Sequence, residues 1–260
     1  MSTRPAAVAG LFYEADAVAL RNSIDRLMAG ASGAPDGRPR ALIVPHAGYP
    51  YSGATAASAY GQLSPFADSY RRVVLLGPAH RLLVEGVAIP SVDNFATPLG
   101  TVPLDRDALE TLTAFPQVTV SDEAHREEHS LEVQLPFLQR VLGDFRLLPL
   151  LVGRCPPRAL AEVIEALWGG PETLFVLSTD LSHFHDYAAA DRLDANTCAR
   201  ILAGATDLTG QEACGAAPLN GFFASEGGCA LQRALLHRCN SGDTAGDRRR
   251  VVGYAAFRLS

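Results

Sequence analysis

The chain has 260 residues, of which 48% are hydrophobic and 19% are charged, and its formal net charge is −6. That length supports one large domain with a well-buried core. An acidic chain whose only basic run is residues 248–250 is a poor candidate for binding nucleic acid. The sequence has no apolar stretch of the roughly 18–20 residues that a membrane helix needs, so we expect no membrane contact.

The cysteines and the N-terminus indicate the compartment. Five cysteines occur, an odd number without any CxxC pair, which argues against a disulfide framework and an all-cysteine zinc site. The first residues lack the pattern of a secretory signal. We therefore expect a cytoplasmic protein with one domain spanning residues 1–260, because the only linker-like stretch, residues 31–38, is too short to separate domains.

Short apolar runs predict the strands. Runs that look buried on both faces, as in parallel or mixed α/β sheets, occupy residues 41–44, 73–76, 147–152 and 174–177. Two further runs, residues 87–89 and 101–104, predict edge strands. Residues 251–259 predict a closing strand.

Helical patterns lie between these runs. Asp16 is expected to cap a helix that buries Leu20 and Ile24 and stops at Gly30. Ser130 is expected to cap a helix rich in leucine. Other helices are predicted over residues 53–63, 157–168, 187–202 and 225–239. Alternating strands and helices indicate a layered α/β fold.

Polar residues follow three of the buried strands at the point where each strand ends. His46 follows residues 41–44, His80 follows residues 73–76, and both Asp180 and His183 follow residues 174–177. In open α/β sheets, ligands bind outside the carboxyl ends of the strands. If these strands are parallel neighbours, the four side chains converge on one patch.

The residue types in this patch indicate a metal site. Imidazole is a common ligand of zinc, copper and iron, and two histidines with one anionic ligand leave positions open for catalysis. Asp180 and Cys214 are both candidates for the third ligand, and spacing alone does not choose between them. A second cluster, Glu128 with His129, is expected either to cap a helix locally or to lie at the rim of the same crevice.

Eight short motifs together resemble one family along nearly the whole chain. They are RPAAVAG with FY at 4–13, PHAGY with YSG at 45–53, GPAH at 77–80, TPLG at 97–100, EHSLE at 128–132, DLSH at 180–183, ACG at 213–215 and GYAAF at 253–257. This set resembles the MEMO family, called AmmeMemoRadiSam system protein B in bacteria. That family is similar to the LigB-type class III extradiol dioxygenases, which are non-haem iron(II) enzymes.

The resemblance implies a fold, a ligand set and partners. The fold is a three-layer α/β/α sandwich around a mostly parallel or mixed sheet. His46, His80 and Cys214 are the implied metal ligands, with iron(II) expected and copper or zinc as alternatives. His183 then takes the place of a catalytic acid/base histidine, with Asp180 lining the pocket. The family's bacterial name implies AMMECR-type and radical-SAM partner proteins.

Three functions remain open at this point. The first is redox or dioxygenase-like chemistry on an unknown small-molecule or peptide substrate, with His183, Asp180 and His129 as catalytic residues. The second is a zinc-dependent hydrolase that uses Asp180 as third ligand or base. The third is a non-catalytic module that binds metal, a peptide or another ligand. The ring-cleaving dioxygenases use a carboxylate where this chain has Cys214, so the resemblance locates the site more firmly than it defines the reaction.

Overall fold

A computed structural model of the chain describes residues 2–31 and 37–260; five residues of the linker-like stretch, 32–36, lie outside the described residues. The strands are β1 (Thr3–Arg4), β2 (Ala41–Val44), β3 (Arg72–Pro78), β4 (Val87–Ile89), β5 (Asn94–Thr97), β6 (Gly100–Pro103), β7 (Val118–Val120), β8 (Arg146–Val152), β9 (Thr173–Ser178), β10 (His183–His185), β11 (Arg233–Asn240) and β12 (Val251–Leu259). The helices are α1 (Ala17–Ala29), α2 (Tyr49–Tyr60), α3 (Arg106–Leu112), α4 (Asp122–Arg126), α5 (His129–Glu132), α6 (Leu135–Leu142), α7 (Pro157–Ala166), α8 (Tyr187–Leu202), α9 (Ala216–Ala224) and α10 (Glu226–Ala230).

One large mixed sheet organises the fold. Its strand order is β10-β12-β2-β9-β3-β8-β4-β7, and β11 pairs with β12. The central strands β2, β9, β3 and β8 are mutually parallel, whereas β12 runs antiparallel to β2 and β4 runs antiparallel to β8. A smaller sheet has the order β1-β5-β6.

The apolar runs become strands because helices cover them. Every residue of β2 and β9 is buried. Helices α1, α2 and α6 pack together as one group, and α7, α9 and α10 pack together as another. The prediction of an α/β fold with a large mixed sheet flanked by helices is confirmed. Among the residues that the structure describes, no helix is both long and apolar enough to cross a membrane.

The prediction of one helix over residues 225–239 is wrong. That segment starts directly after α9 and contains the short helix α10 and then most of strand β11. The strand pairs with β12 over most of its length, from Arg233 opposite Leu259 to Asn240 opposite Gly253. Hydrogen bonding to a neighbouring strand thus outweighs the local helical pattern, as tertiary context commonly does.

Other predicted boundaries shift for identifiable reasons. The helix expected over residues 53–63 begins at Tyr49 because Pro50 fits its first turn. Glu128, not Ser130, caps the leucine-rich segment, and the Ser130 hydroxyl donates instead to Pro78 O at 2.8 Å. Strand β4 is not an edge, since it lies between β8 and β7.

A buried ion pair fixes the N-terminal segment against α5. The Glu132 carboxylate accepts hydrogen bonds from Arg4 Nη1 at 2.6 Å, from the Val8 amide at 2.9 Å and from Tyr13 Oη at 2.6 Å. Both charged side chains are almost fully buried. Such a pair is held in place because either charge alone would be left without water or a partner.

Replacing Glu132 should therefore destabilise the protein strongly. In Glu132→Gln the buried Arg4 loses its counter-charge, and we expect the free energy of unfolding to fall by roughly 3 kcal/mol or more. Glu123 pairs with Arg126 at the surface, so Glu123→Gln is the matched control and should cost under about 1 kcal/mol. Urea denaturation measures both, and equal losses would contradict the structural role of Glu132.

Histidine 125 gives the folded state a dependence on pH. Its ring is 2% exposed, and its Nε2 donates to Ala88 O at 3.0 Å. Burial lowers the pKa of His125 to about 4 from the ordinary 6.5. Between those two pH values the unfolded chain therefore binds a proton at His125 more readily than the folded protein does. The contribution of His125 to stability is present in full above pH 6.5 and is lost as pH falls towards 4.

The free energy of unfolding of wild type, relative to that of His125→Gln, should decrease as the pH falls. The intrinsic cost of the substitution does not change with pH, whereas the contribution of His125 falls by roughly 2 kcal/mol between pH 7.5 and pH 5. Urea denaturation of both proteins at several pH values tests this. A difference that stays constant across the range would contradict a buried neutral imidazole at position 125.

Candidate metal centre

Three neighbouring strands bring the predicted site residues together. Strands β2, β9 and β3 lie side by side and run parallel, so their carboxyl ends meet at one edge of the sheet. His46, Asp180 and His80 follow these strands. The His46 amide donates to Asp180 Oδ1 at 2.8 Å, and the rings of His46 and His80 lie 5.1 Å apart between centroids.

A third histidine completes a cluster at this edge. His129, the first residue of α5, has its ring 5.5 Å from that of His46 and 4.8 Å from that of His80. One ring nitrogen from each of the three lies within 4.8 Å of the others, close enough for a shared metal ion. From the sequence alone, His129 was expected in a local helix cap or at the rim of the crevice, as a candidate catalytic residue and not as a metal ligand.

The hydrogen bonds around His46 determine which of its nitrogens is free. Ser178 Oγ donates its only proton to Ser130 O at 2.6 Å and accepts from Gln134 Nε2 at 2.8 Å. It must therefore also accept from His46 Nδ1, which lies 2.9 Å away. With Nδ1 protonated, the neutral ring carries its lone pair on Nε2. Burial, followed by repulsion from His80 and His129, keeps the pKa of His46 well below its ordinary value.

Glu128 orients His80 in the same way. Its Oε1 accepts from His80 Nδ1 at 2.9 Å, and its Oε2 accepts the His80 amide. The same carboxylate caps α5 by accepting the amides of His129 and Ser130. Burial alone would raise the pKa of Glu128, but these hydrogen bonds outweigh it and hold the pKa well below its ordinary value. Histidine ligands of metals are commonly held by such a carboxylate.

His129 is held by packing rather than by a hydrogen bond. Its ring lies 4.8 Å from that of Phe12. Its Nδ1 is buried 3.2 Å from Glu128 Oε1, yet it makes no hydrogen bond of acceptable geometry with any residue that the structure describes. Burial lowers the pKa of His129 to about 4, so the ring is neutral at physiological pH.

Cys214 lies beside the histidine cluster. Its Sγ is 3.2 Å from His46 Nε2 and accepts the Asp180 amide at 3.3 Å. The loop that carries it is fixed to the end of β9, because the Gly215 amide donates to Thr179 Oγ1 at 2.8 Å. Burial, and then the nearby Asp180 carboxyl, raise the pKa of the Cys214 thiol to about 12. A cation beside the sulfur would be needed to deprotonate it.

Asp180 and His183 have different surroundings. The Asp180 carboxyl is buried and accepts a hydrogen bond from the His46 amide. Burial raises the pKa of Asp180 to about 7. His183 Nδ1 donates to Leu181 O at 2.8 Å, which leaves its Nε2 unprotonated. The next residue, Phe184, has φ +65°, a left-handed conformation that costs energy for a non-glycine residue and often occurs at functional sites.

A cavity opens beside these groups. Its volume is about 490 Å³, and it is lined by His80, His183, His185, Gln211 and Cys214. Cavities of this size accommodate small organic ligands. Two of the sequence-predicted metal ligands and the predicted acid/base histidine therefore share one solvent-accessible space.

The donor set fits a transition metal. His46 is a neutral imidazole whose Nδ1 is engaged and whose Nε2 is available, and His80 has its Nδ1 bound to Glu128. The unpartnered buried Nδ1 of His129 shows that the described side chains do not satisfy the site by themselves. Imidazole and thiol groups together suit iron, copper or zinc better than magnesium or calcium.

Sequence reasoning missed the residues that orient the histidines. Ser178 ends strand β9, and Gln134 lies in a leucine-rich segment where it looks like an ordinary polar position. Gln134 could have been noticed as a polar residue at a position that the helical pattern predicts to be buried. Its side chain is fully buried and donates to both Pro45 O and Ser178 Oγ.

Comparisons with known proteins agree on the family. The sequence profile of the Memo-like proteins matches residues 4–258. A MEMO1 family protein of Aquifex aeolicus is 34% identical over 98% of both chains, and one of Methanosarcina barkeri is 37% identical over 83% of this chain and 84% of its own.

A structural comparison supports the same fold class. The crystal structure of an uncharacterized protein from Escherichia coli K12 superimposes with a TM-score of 0.54, at 13% identity, over 86% of this chain and all of that one. At that identity the likeness concerns the fold alone. The match along nearly the whole sequence, with relatives above 30% identity, is decisive: this chain belongs to the MEMO family.

Proposed function

We propose that the chain holds one metal ion, iron(II), on His46, His80 and Cys214, and uses it in redox chemistry on a small substrate in the adjacent cavity. The observation that supports this most directly is the orientation of two imidazole rings. The Nδ1 atoms of His46 and His80 are engaged by Ser178 and Glu128, so that both Nε2 atoms are left for a metal.

Cys214 is our choice of third ligand over Asp180 and His129. The Asp180 carboxyl already accepts the His46 amide. Three histidine ligands would give a dication no anionic ligand, whereas a Cys214 thiolate would supply one. The Cys214 sulfur lies 3.2 Å from His46 Nε2. His129 then remains a neutral imidazole beside the ion, available to hold or transfer a proton.

The remaining residues provide proton transfer and substrate access. Iron(II), when bound, would supply a redox-active Lewis acid with open coordination positions. His183 faces the cavity with an unprotonated Nε2, and burial keeps its pKa below the ordinary value. It can therefore accept a proton from a substrate hydroxyl or thiol at neutral pH. Copper is the alternative metal for the same donors.

Removing the carboxylate behind His80 should weaken metal binding without removing a ligand. In Glu128→Gln the acceptor that orients the imidazole is weakened, and we expect the dissociation constant for iron(II) to rise by about 10- to 100-fold. Glu127→Gln, at the exposed neighbouring position, is the matched control and should bind as wild type does. Anaerobic competition against a chromogenic chelator measures both; equal affinities would show that Glu128 only caps α5.

Separating ligands from proton-transfer groups tests the function itself. Protein loaded anaerobically with iron(II) is given dioxygen and a panel of catechols and thiols, and oxygen consumption is recorded. We expect His46→Ala and Cys214→Ser to lose the metal, and His183→Asn to retain it while oxygen consumption falls by about 100-fold or more.

Three results would count against the proposal. Wild type that binds no iron(II) at the histidines would exclude the site. Retention of metal by Cys214→Ser would favour Asp180 or His129 as third ligand and zinc chemistry. Iron-loaded wild type that consumes no oxygen with any compound in the panel, while binding some of them, would favour a non-catalytic binding module.

A further inference from the structure

A buried carboxyl group on α8 lies behind the loop that carries His183. Asp194 is 1% exposed, and the nearby Arg238 pairs with Asp191 rather than with Asp194. Burial of a charge without an adjacent counter-ion costs stability. An asparagine at position 194 would offer the same acceptor oxygen at a lower cost, so the charge itself calls for an explanation.

One peptide group connects Asp194 to His183. The amide of Ser182 donates to Asp194 Oδ1 at 3.0 Å. The carbonyl of that same peptide group belongs to Leu181, and it accepts from His183 Nδ1 at 2.8 Å. Carboxylate, peptide group and imidazole therefore form one continuous chain of hydrogen bonds.

The surrounding backbone holds this peptide group in place. The Leu181 amide donates to Gly253 O at 2.8 Å, and the Gly253 amide donates to Ser182 O at 2.9 Å. A Cβ added to Gly253 would lie 1.9 Å from Asp194 Oδ2, so the carboxylate occupies space that only a glycine at this position of β12 leaves free. Helix α8, strand β12 and the loop after β9 thus build the arrangement together.

A carboxylate at the end of such a chain acts on the imidazole at the other end, because hydrogen bonds in series polarise one another. An anion that accepts from the Ser182 amide makes Leu181 O a stronger acceptor. A stronger acceptor at Nδ1 fixes the tautomer and stabilises the imidazolium that forms when Nε2 takes a proton. Burial and the nearby His80 lower the pKa of His183. The Leu181 carbonyl and the charge of Asp194 act in the opposite direction.

We propose that Asp194 is a positioning residue for His183 and acts through the peptide group between Leu181 and Ser182. Its carboxylate keeps the proton on Nδ1 and makes Nε2 a better proton acceptor. In the Ser-His-Asp triad a buried aspartate does this by direct contact with the histidine, whereas here a peptide group lies between the two. This role rests on the proposed function, in which His183 accepts a proton from the substrate.

Nuclear magnetic resonance of metal-free protein labelled with 15N-histidine tests the role of Asp194. Asp194→Asn keeps the size and an acceptor oxygen for the Ser182 amide but removes the charge. Asp191→Asn is the matched control, because Asp191 lies on the same helix with its side chain 54% exposed. The signals of His183 are identified by their absence in His183→Asn. Circular dichroism verifies that each variant is folded.

In Asp194→Asn we expect the titration midpoint of His183 to move to lower pH by about 0.5 or more, because the imidazolium loses a stabilising charge. The proton on Nδ1 should resonate upfield, since its hydrogen bond weakens. Asp191→Asn should move the midpoint by less than about 0.2, because solvent and salt screen an exposed charge. A midpoint that does not move in Asp194→Asn, or that moves equally in both variants, would overturn the proposal.

Two measurements on the wild-type protein decide the question if Asp194→Asn does not fold. The 15N shifts of neutral His183 should show the proton on Nδ1, and a scalar coupling across the hydrogen bond should join the Ser182 amide nitrogen to the Asp194 carboxyl carbon. A neutral ring protonated on Nε2, or the lack of that coupling, would overturn the proposal. Because metal is absent throughout, a failure of iron binding or of oxygen consumption would leave these results unchanged.

Discussion

Two buried carboxylates, one at each end of helix α5, hold the candidate site together. Glu128 caps the helix and binds His80 at the end of β3, whereas Glu132 ends the helix and binds Arg4 and Tyr13 of the N-terminal segment. Helix α5 is thereby fixed between the sheet and that segment. His129, its first residue, must lie between the rings of His80 and Phe12.

The electrostatics of the site disfavour protonation of two of its three histidines. Burial and mutual repulsion lower the pKa of His46, and burial lowers that of His129, so neither ring gains a charge at neutral pH. Their lone pairs stay available. Protons added to these rings would gain the attraction of Glu128 but would place like charges on adjacent imidazoles, whereas a metal dication would meet Glu128 and also a deprotonated Cys214. Metal binding at such donors releases or excludes protons, which makes the affinity dependent on pH.

The convergence of three strand ends could be predicted from the sequence because strand ends are a local property. Residues 41–44, 73–76 and 174–177 are apolar runs, and parallel pairing then places His46, His80 and Asp180 at one edge without further information. The position of His129 and the role of Glu128 could not be predicted in this way. The contact between Glu128 and His80 joins residues 48 positions apart, and it depends on how α5 approaches β3.

The failure at residues 225–239 has the same origin. Local residue preferences there are compatible with a helix, but the free backbone groups of β12 offer a partner along β11. Side-chain orientation at the site is equally non-local. The tautomer of His46 is set by Ser178, because the Ser178 hydroxyl donates its proton to Ser130 O. No sequence pattern within β9 predicts that hydrogen bond.

One pair of rings connects the histidine cluster to a second cavity, which lies beside the N-terminal loop. Phe12 lines the second cavity, packs against His129, and accepts the Tyr49 amide at 2.8 Å through its backbone oxygen. A ligand that displaces the Phe12 ring would therefore alter the packing of a histidine in the metal cluster. Thermodynamic linkage requires any such effect to be reciprocal, so metal binding would change ligand affinity by the same factor. A Phe12 ring that keeps its place would instead leave the cavity and the histidine cluster independent of each other. The backbone of Phe12 is restrained by its close approach to Gly48, where an added Cβ would lie 3.3 Å from Phe12 O.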